Sequence, residues 1–73
     1  MNTTFVIRHQ NGLFLQYNCF DKTFCWVFCA TQAIKDNRRE SILNWFKEKE
    51  FLHFLAGEIV TIEQIYIFPK RTI

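Results

Sequence analysis

The residues of this 73-residue chain best suited to chemistry are Cys19, Cys25, Cys29, His9 and His53. Cysteine thiolates and imidazoles are the usual ligands of zinc, which holds sulfur at about 2.3 Å in a tetrahedral set. Cys25 and Cys29 fall on a segment that reads as a strand, where four residues span about 13 Å. One ion cannot take both, and the same distance rules out a disulfide between them. The spacing Cys-x5-Cys-x3-Cys matches no knuckle or ribbon. Cys25 and Cys29 therefore read as small apolar fillers, and Cys19, near a loop, as a free thiol. An odd number of cysteines also departs from the even framework of a secreted disulfide scaffold.

Nucleophilic catalysis would need a nucleophile, a base and an orienting group within reach. The candidates are Cys19, His9, His53, Asp21 and Asp36. His9 closes the first strand and His53 lies near the end of a helix, so the two are expected at opposite ends of the molecule. Each reads as an ordinary, partly exposed histidine. Asp36 and Glu40 are better explained as residues favoured at a helix start. Gly12 and Gly57 alone cannot make a phosphate-binding loop. No metal, cofactor or enzyme activity is expected.

These side chains must be held by a small domain. Hydrophobic residues make up 49% of the chain and charged ones 22%, which argues for a packed core over disorder. The length suits a single domain, residues 1–73. Thr23 to Ile34 is too short to span a bilayer, and Met1 to Phe5 lacks the features of a signal peptide. A cytoplasmic protein is the expectation.

The elements follow from local pattern. Phe5-Val6-Ile7-Arg8-His9 and Leu13-Phe14-Leu15-Gln16-Tyr17 flank Asn11-Gly12 and read as a β-hairpin. A two-residue loop would pair Gln10 with Leu13. A three-residue loop with Gly12 left-handed pairs His9 with Leu13, Ile7 with Leu15 and Phe5 with Tyr17. The second register gathers the large residues on one face and is preferred. Thr23 to Cys29 is a third strand, with Phe24, Trp26 and Phe28 on one face and Cys25, Val27 and Cys29 on the other. Asn37 to Glu40 has capping-box spacing, with Asp36 as a competing cap. A helix is predicted from about Arg38 to Glu50, with a possible extension to Leu55 and a stop at Gly57. Ile59 to Phe68 is the last strand, closed by Pro69.

The fold class predicted is α+β, in the order β-β-β-α-β: a four-stranded mixed sheet with one helix on one face. A right-handed crossover would return strand four parallel to strand three, beside strand one (order 4-1-2-3, favoured) or beside strand three. Nothing in the chain is expected to cover the second face. Ile42, Trp45 and Phe46 should pack on Phe5, Ile7, Leu13, Leu15 and Ile65.

With strand four parallel, Lys35, Arg38, Arg39, Lys70 and Arg71 would meet Arg8 and His9 at one end of the sheet. Asp21, Glu48, Glu50 and Glu58 would gather at the other, offset by Lys22, Lys47 and Lys49. Such a basic edge suits an acidic protein surface or phosphates. The chain also has nine Phe, two Trp and two Tyr, more rings than one helix on one sheet face can enclose. Phe51 to Leu55 reads either as an exposed apolar patch, with Phe51 and Phe54 as contacts, or as the last helical turns closing the core.

The run Phe5-Val6-Ile7, Asn11-Gly12-Leu13-Phe14-Leu15, the third strand around Trp26, the helix, and the closing Val60 to Ile67 together resemble small proteins of bacteriophages and mobile elements. Some of these are anti-CRISPR inhibitors or other blockers of host defence. The resemblance is one of pattern over most of the chain, with no diagnostic motif, and carries no functional residue. It implies a non-enzymatic inhibitor that docks on a host protein or nucleoprotein. The alternatives are a small nucleic-acid-binding protein using the basic edge, or a self-associating module, with a homodimer as one form.

Overall fold

The computed structural model describes residues 2–67. Four strands, β1 (Asn2–His9), β2 (Phe14–Asn18), β3 (Thr23–Val27) and β4 (Val60–Ile67), form one antiparallel sheet in the order β3-β2-β1-β4. The α+β class and the 4-1-2-3 strand order are those read from the sequence. Phe68, Pro69, Lys70 and Arg71 lie outside the described residues.

The hairpin closes as the side-chain pattern dictates. His9 N–H donates to Leu13 O at 2.8 Å, Gly12 N–H donates to His9 O at 2.9 Å, and Arg8 stands opposite Phe14. Gly12 has φ +95°, which a residue without Cβ adopts cheaply. The three-residue loop is thus correct.

Below Ile7 the two strands part company. Phe5 does not meet Tyr17 but pairs with Asp36, with N–H to O distances of 2.8 and 3.3 Å. Leu15 O accepts from Ile34 N–H at 2.8 Å. The segment Ile34 to Asp36 is a backbone strap that takes ladder positions on both β1 and β2.

The helical segment is broken in three. α1 (Arg39–Leu43) runs into a 3₁₀ turn (Asn44–Lys47), and α2 (Lys49–Leu55) follows after Glu48, whose φ −86° and ψ 126° are extended. The cause is phase. At about 100° per residue, Ile42 and Phe51 would stand about 180° apart on a continuous helix, yet both are buried in the core. The interruption at Glu48 turns both toward the sheet. The start near Arg38 is as predicted; the single helix is not. Asp36 caps only through a local turn, its Oδ1 accepting from Arg38 N–H at 2.9 Å, and Asn37 makes no side-chain cap. At the other end Ala56 is left-handed, φ 49°, one residue before Gly57 at φ 83°.

The core consists of Ile7, Leu15, Ile42, Phe51 and Leu55, with Phe5, Phe24, Trp26, Ile34, Trp45, Phe46, Phe54, Val60 and Ile62 packed around it. Ile62 lies opposite Ile7, whereas Ile65 pairs with Thr4 on the other face and takes no part. That other face is not bare at its centre, because Val6 is wholly buried and Thr4 nearly so.

The decisive correction concerns β4. It is antiparallel to β1, with Val60 opposite His9 and Ile67 opposite Asn2, and so runs opposite to β3. The strap is the reason. Leaving β3, the chain passes Leu15 and then Phe5, crossing the sheet before α1 begins. The helices then return it to the His9 end, and β4 starts there.

Candidate functional site

Among the described residues, Arg8 and His9 do not join Arg38 and Arg39 at one basic edge as predicted. β4 ends beside Asn2, away from Arg8 and His9, and the strap carries Arg38 and Arg39 to the level of Phe5 or beyond. Arg8 pairs with Glu63 at 3.2 Å and lies over the Phe14 ring at 5.0 Å. Lys35 Nζ donates to Thr31 O at 2.7 Å and Ala33 O at 3.1 Å, stapling its own loop. Arg38 and Arg39 are exposed and line a shallow depression with Glu40. Lys70 and Arg71 lie outside the described residues.

The predicted apolar patch is not a surface either. Phe51 is 0% exposed. Phe54 is half-buried, its ring 5.5 Å from both Phe24 and Trp26. This segment closes the core, as the second reading of it held.

His9 is another departure, being only 8% exposed. Its Nδ1 accepts from Asn11 N–H at 3.0 Å, so the ring proton sits on Nε2 and donates to Glu58 at 2.7 Å. Trp26 closes over it edge-on at 4.9 Å. Both nitrogens are committed within the fold, and the imidazole serves to fasten the hairpin to the start of β4. The three cysteines are exposed and free, and no group of three metal-ligating side chains occurs among the described residues. No helix among the described residues is long and apolar enough to cross a membrane.

What the structure does bring together is an aromatic cleft at the far end of the sheet from His9. Tyr17 on β2 and Phe24 on β3 are cross-strand partners on the helix-facing side, their rings 4.9 Å apart. Trp45, presented by the 3₁₀ turn, meets Tyr17 at 5.0 Å and Phe24 edge-on at 5.7 Å. Lys22, Glu48 and Glu50 complete the wall of a cleft of about 340 Å³. Lys22 enters from the β2–β3 turn in a left-handed conformation, φ 56°. Glu48 stands at the helix interruption and Glu50 in the first turn of α2.

The volume is near the bottom of the ~300–1,000 Å³ range of ligand sites, which suits a side chain better than a large cofactor. Half-buried rings present a negative π-face to a cation. Two glutamates and one lysine line the same cleft, and none of the three takes part in the side-chain pairs Arg8–Glu63 and His9–Glu58 found among the described residues. The cleft thus joins aromatic surface to one more carboxylate than ammonium. The expected gathering of Lys22, Glu48 and Glu50 at one end holds, but Glu58 belongs to His9. Tyr17 and Trp45 had not been read as site residues. The signal was present in the opposition of Tyr17 and Phe24 across a hairpin, but not in where Trp45 would land.

Comparison of the chain with family models, with curated proteins and with solved structures gives no match.

Proposed function

We propose that this protein acts by binding another protein and that the Tyr17–Phe24–Trp45 cleft receives a lysine or arginine side chain of that partner. The observation that carries the reading is the joining of three touching rings to two carboxylates that form no salt bridge among the described residues, in one concave site. The pattern-level resemblance to phage and mobile-element proteins makes a host defence protein or nucleoprotein the class of partner, and inhibition by occlusion the mode of action. Cation–π contact at an exposed site contributes only about 0.5–1 kcal/mol. The cleft thus fixes the register of a larger docking surface and does not supply its affinity.

The test is a titration of the isotope-labelled protein with two peptides of equal length, one arginine-rich and one glutamate-rich. The indole N–H resonance of Trp45 is expected to move with the first and not the second, while that of Trp26 stays in place. Glu48→Gln with Glu50→Gln should reduce the shift. Equal response to both peptides, or none to either, overturns the reading.

A further inference from the structure

We infer that β3 is a self-pairing edge, by which two copies of this chain join their sheets antiparallel about a two-fold axis at Cys25. Leu15 O points away from β3, since it accepts from Ile34 N–H. Leu15 stands opposite Trp26. In an antiparallel ladder the hydrogen-bonding and non-bonding pairs alternate, so Thr23, Cys25 and Val27 direct their backbone groups at β2. Phe24 and Trp26 direct theirs outward, and their amides and carbonyls make no other backbone bond among the described residues.

Exposed edges are normally blunted by charge, proline or a bulge. The stretch Thr23-Phe24-Cys25-Trp26-Val27-Phe28-Cys29 carries none of these. Cys25 is the midpoint of the five-residue strand. Antiparallel pairing centred there matches every strand residue with one on the second copy. Phe24 exchanges both backbone hydrogen bonds with Trp26 of the second copy, and Trp26 does so with its Phe24. Cys25 faces its own counterpart as a non-bonded pair. Both helical layers then lie on one side of the joined sheet.

Two further features favour a second copy over an unrelated strand. Asp21 and Lys22 sit at one end of β3 only, so the antiparallel arrangement keeps like charges at opposite ends of the contact. Phe28 is 86% exposed and Phe20, in the turn at the opposite end of β3, is 92% exposed. Continuing the register sets Phe28 of each copy opposite Lys22 of the other, close to the turn that carries Phe20. The side chains left bare in one copy are thereby covered by the other.

The experiment uses the full chain. Light scattering after size exclusion should give twice 8.9 kDa, falling to 8.9 kDa for Cys25→Lys, which sets two ammonium groups face to face. Non-bonded antiparallel pairs have Cα atoms about 4.5 Å apart, within the ~4.4–6.8 Å that a disulfide spans. Diamide, which takes two hydrogens from two thiols and is itself reduced to the hydrazine, should therefore link the Cys19→Ser, Cys29→Ser double variant into a covalent dimer. The Cys25→Ser variant should give none. The second arm decides even where Cys25→Lys fails to fold. A monomer at all concentrations leaves the edge to some other strand and overturns the inference. So does a dimer that links through Cys19 or Cys29 and not Cys25. Neither result touches the cleft, whose peptide titration stands alone.

Discussion

At the scale of single residues, burial divides the aromatic side chains into those that hold the fold and those that face outward. Phe51 sits wholly buried with its ring 5.4 Å from Phe24, 5.2 Å from Phe46 and 6.4 Å from Trp45. Truncation of such a residue leaves a cavity lined by its neighbours, so Phe51→Ala is expected to cost about 3–5 kcal/mol. Trp45 is half-buried, and Trp45→Ala should cost about half as much, because part of its ring already meets water. Chemical denaturation of the two variants checks this. Equal losses would mean that Trp45 is a core residue and the cleft beside it closed. Composition alone shows a surplus of rings but cannot say which are surplus. Phe51 and Phe54 belong to a run that reads equally as patch or core, and only the phase of α2 decides between them. His9 illustrates the same limit, since its burial depends on Trp26 and Glu58, both distant in sequence.

At the scale of elements, the sequence was legible wherever a local rule had one solution. The hairpin register follows from Asn11-Gly12 and from the need to keep Ile7 and Leu15 on one face. The interruption at Glu48 was not read, although apolar positions before and after it fall on opposite sides of a continuous helix. The direction of β4 was not legible. It depends on where the helices begin, and that is set by the strap pairing with Phe5, a contact made by backbone groups that every residue carries. The end of α2 offers a test of local conformation. Ala56 occupies a left-handed position that costs an L-residue with a Cβ about 1 kcal/mol. Ala56→Gly relieves this at some expense in unfolded-state entropy. The net expectation is a stabilisation of about 0.5 kcal/mol, read as a rise of a few degrees in the melting temperature. A fall would show that the left-handed turn is not strained.

At the scale of the whole molecule, reversing one strand redistributes the charge. Among the described residues, Arg8 and His9 stand apart from Arg38 and Arg39, and Glu58 stands with His9 rather than with Glu48 and Glu50. Arg8 and Lys35 are held by Glu63 and by loop carbonyls, and the aromatic cleft is rimmed by Glu48 and Glu50. The strap has a further consequence, for the order in which structure is lost. Phe5 and Asp36 exchange backbone hydrogen bonds, and Ile34 is tied to Leu15, so the amides of Phe5 and Ile34 are shielded by a contact that joins both ends of the chain's first half. The two amides meet solvent only when the strap leaves β1 and β2, and that separation also uncovers Ile7 and Leu15, which are wholly buried. Opening of this kind approaches complete unfolding. In native-state hydrogen exchange, Phe5 and Ile34 should therefore exchange together, at a free energy close to the global value and with a matching response to denaturant. The exposed tip at Phe20 should exchange far sooner. If Ile34 exchanged early and Phe5 late, the strap would open as a separate unit, and the hairpin would be the part of the molecule able to persist without it.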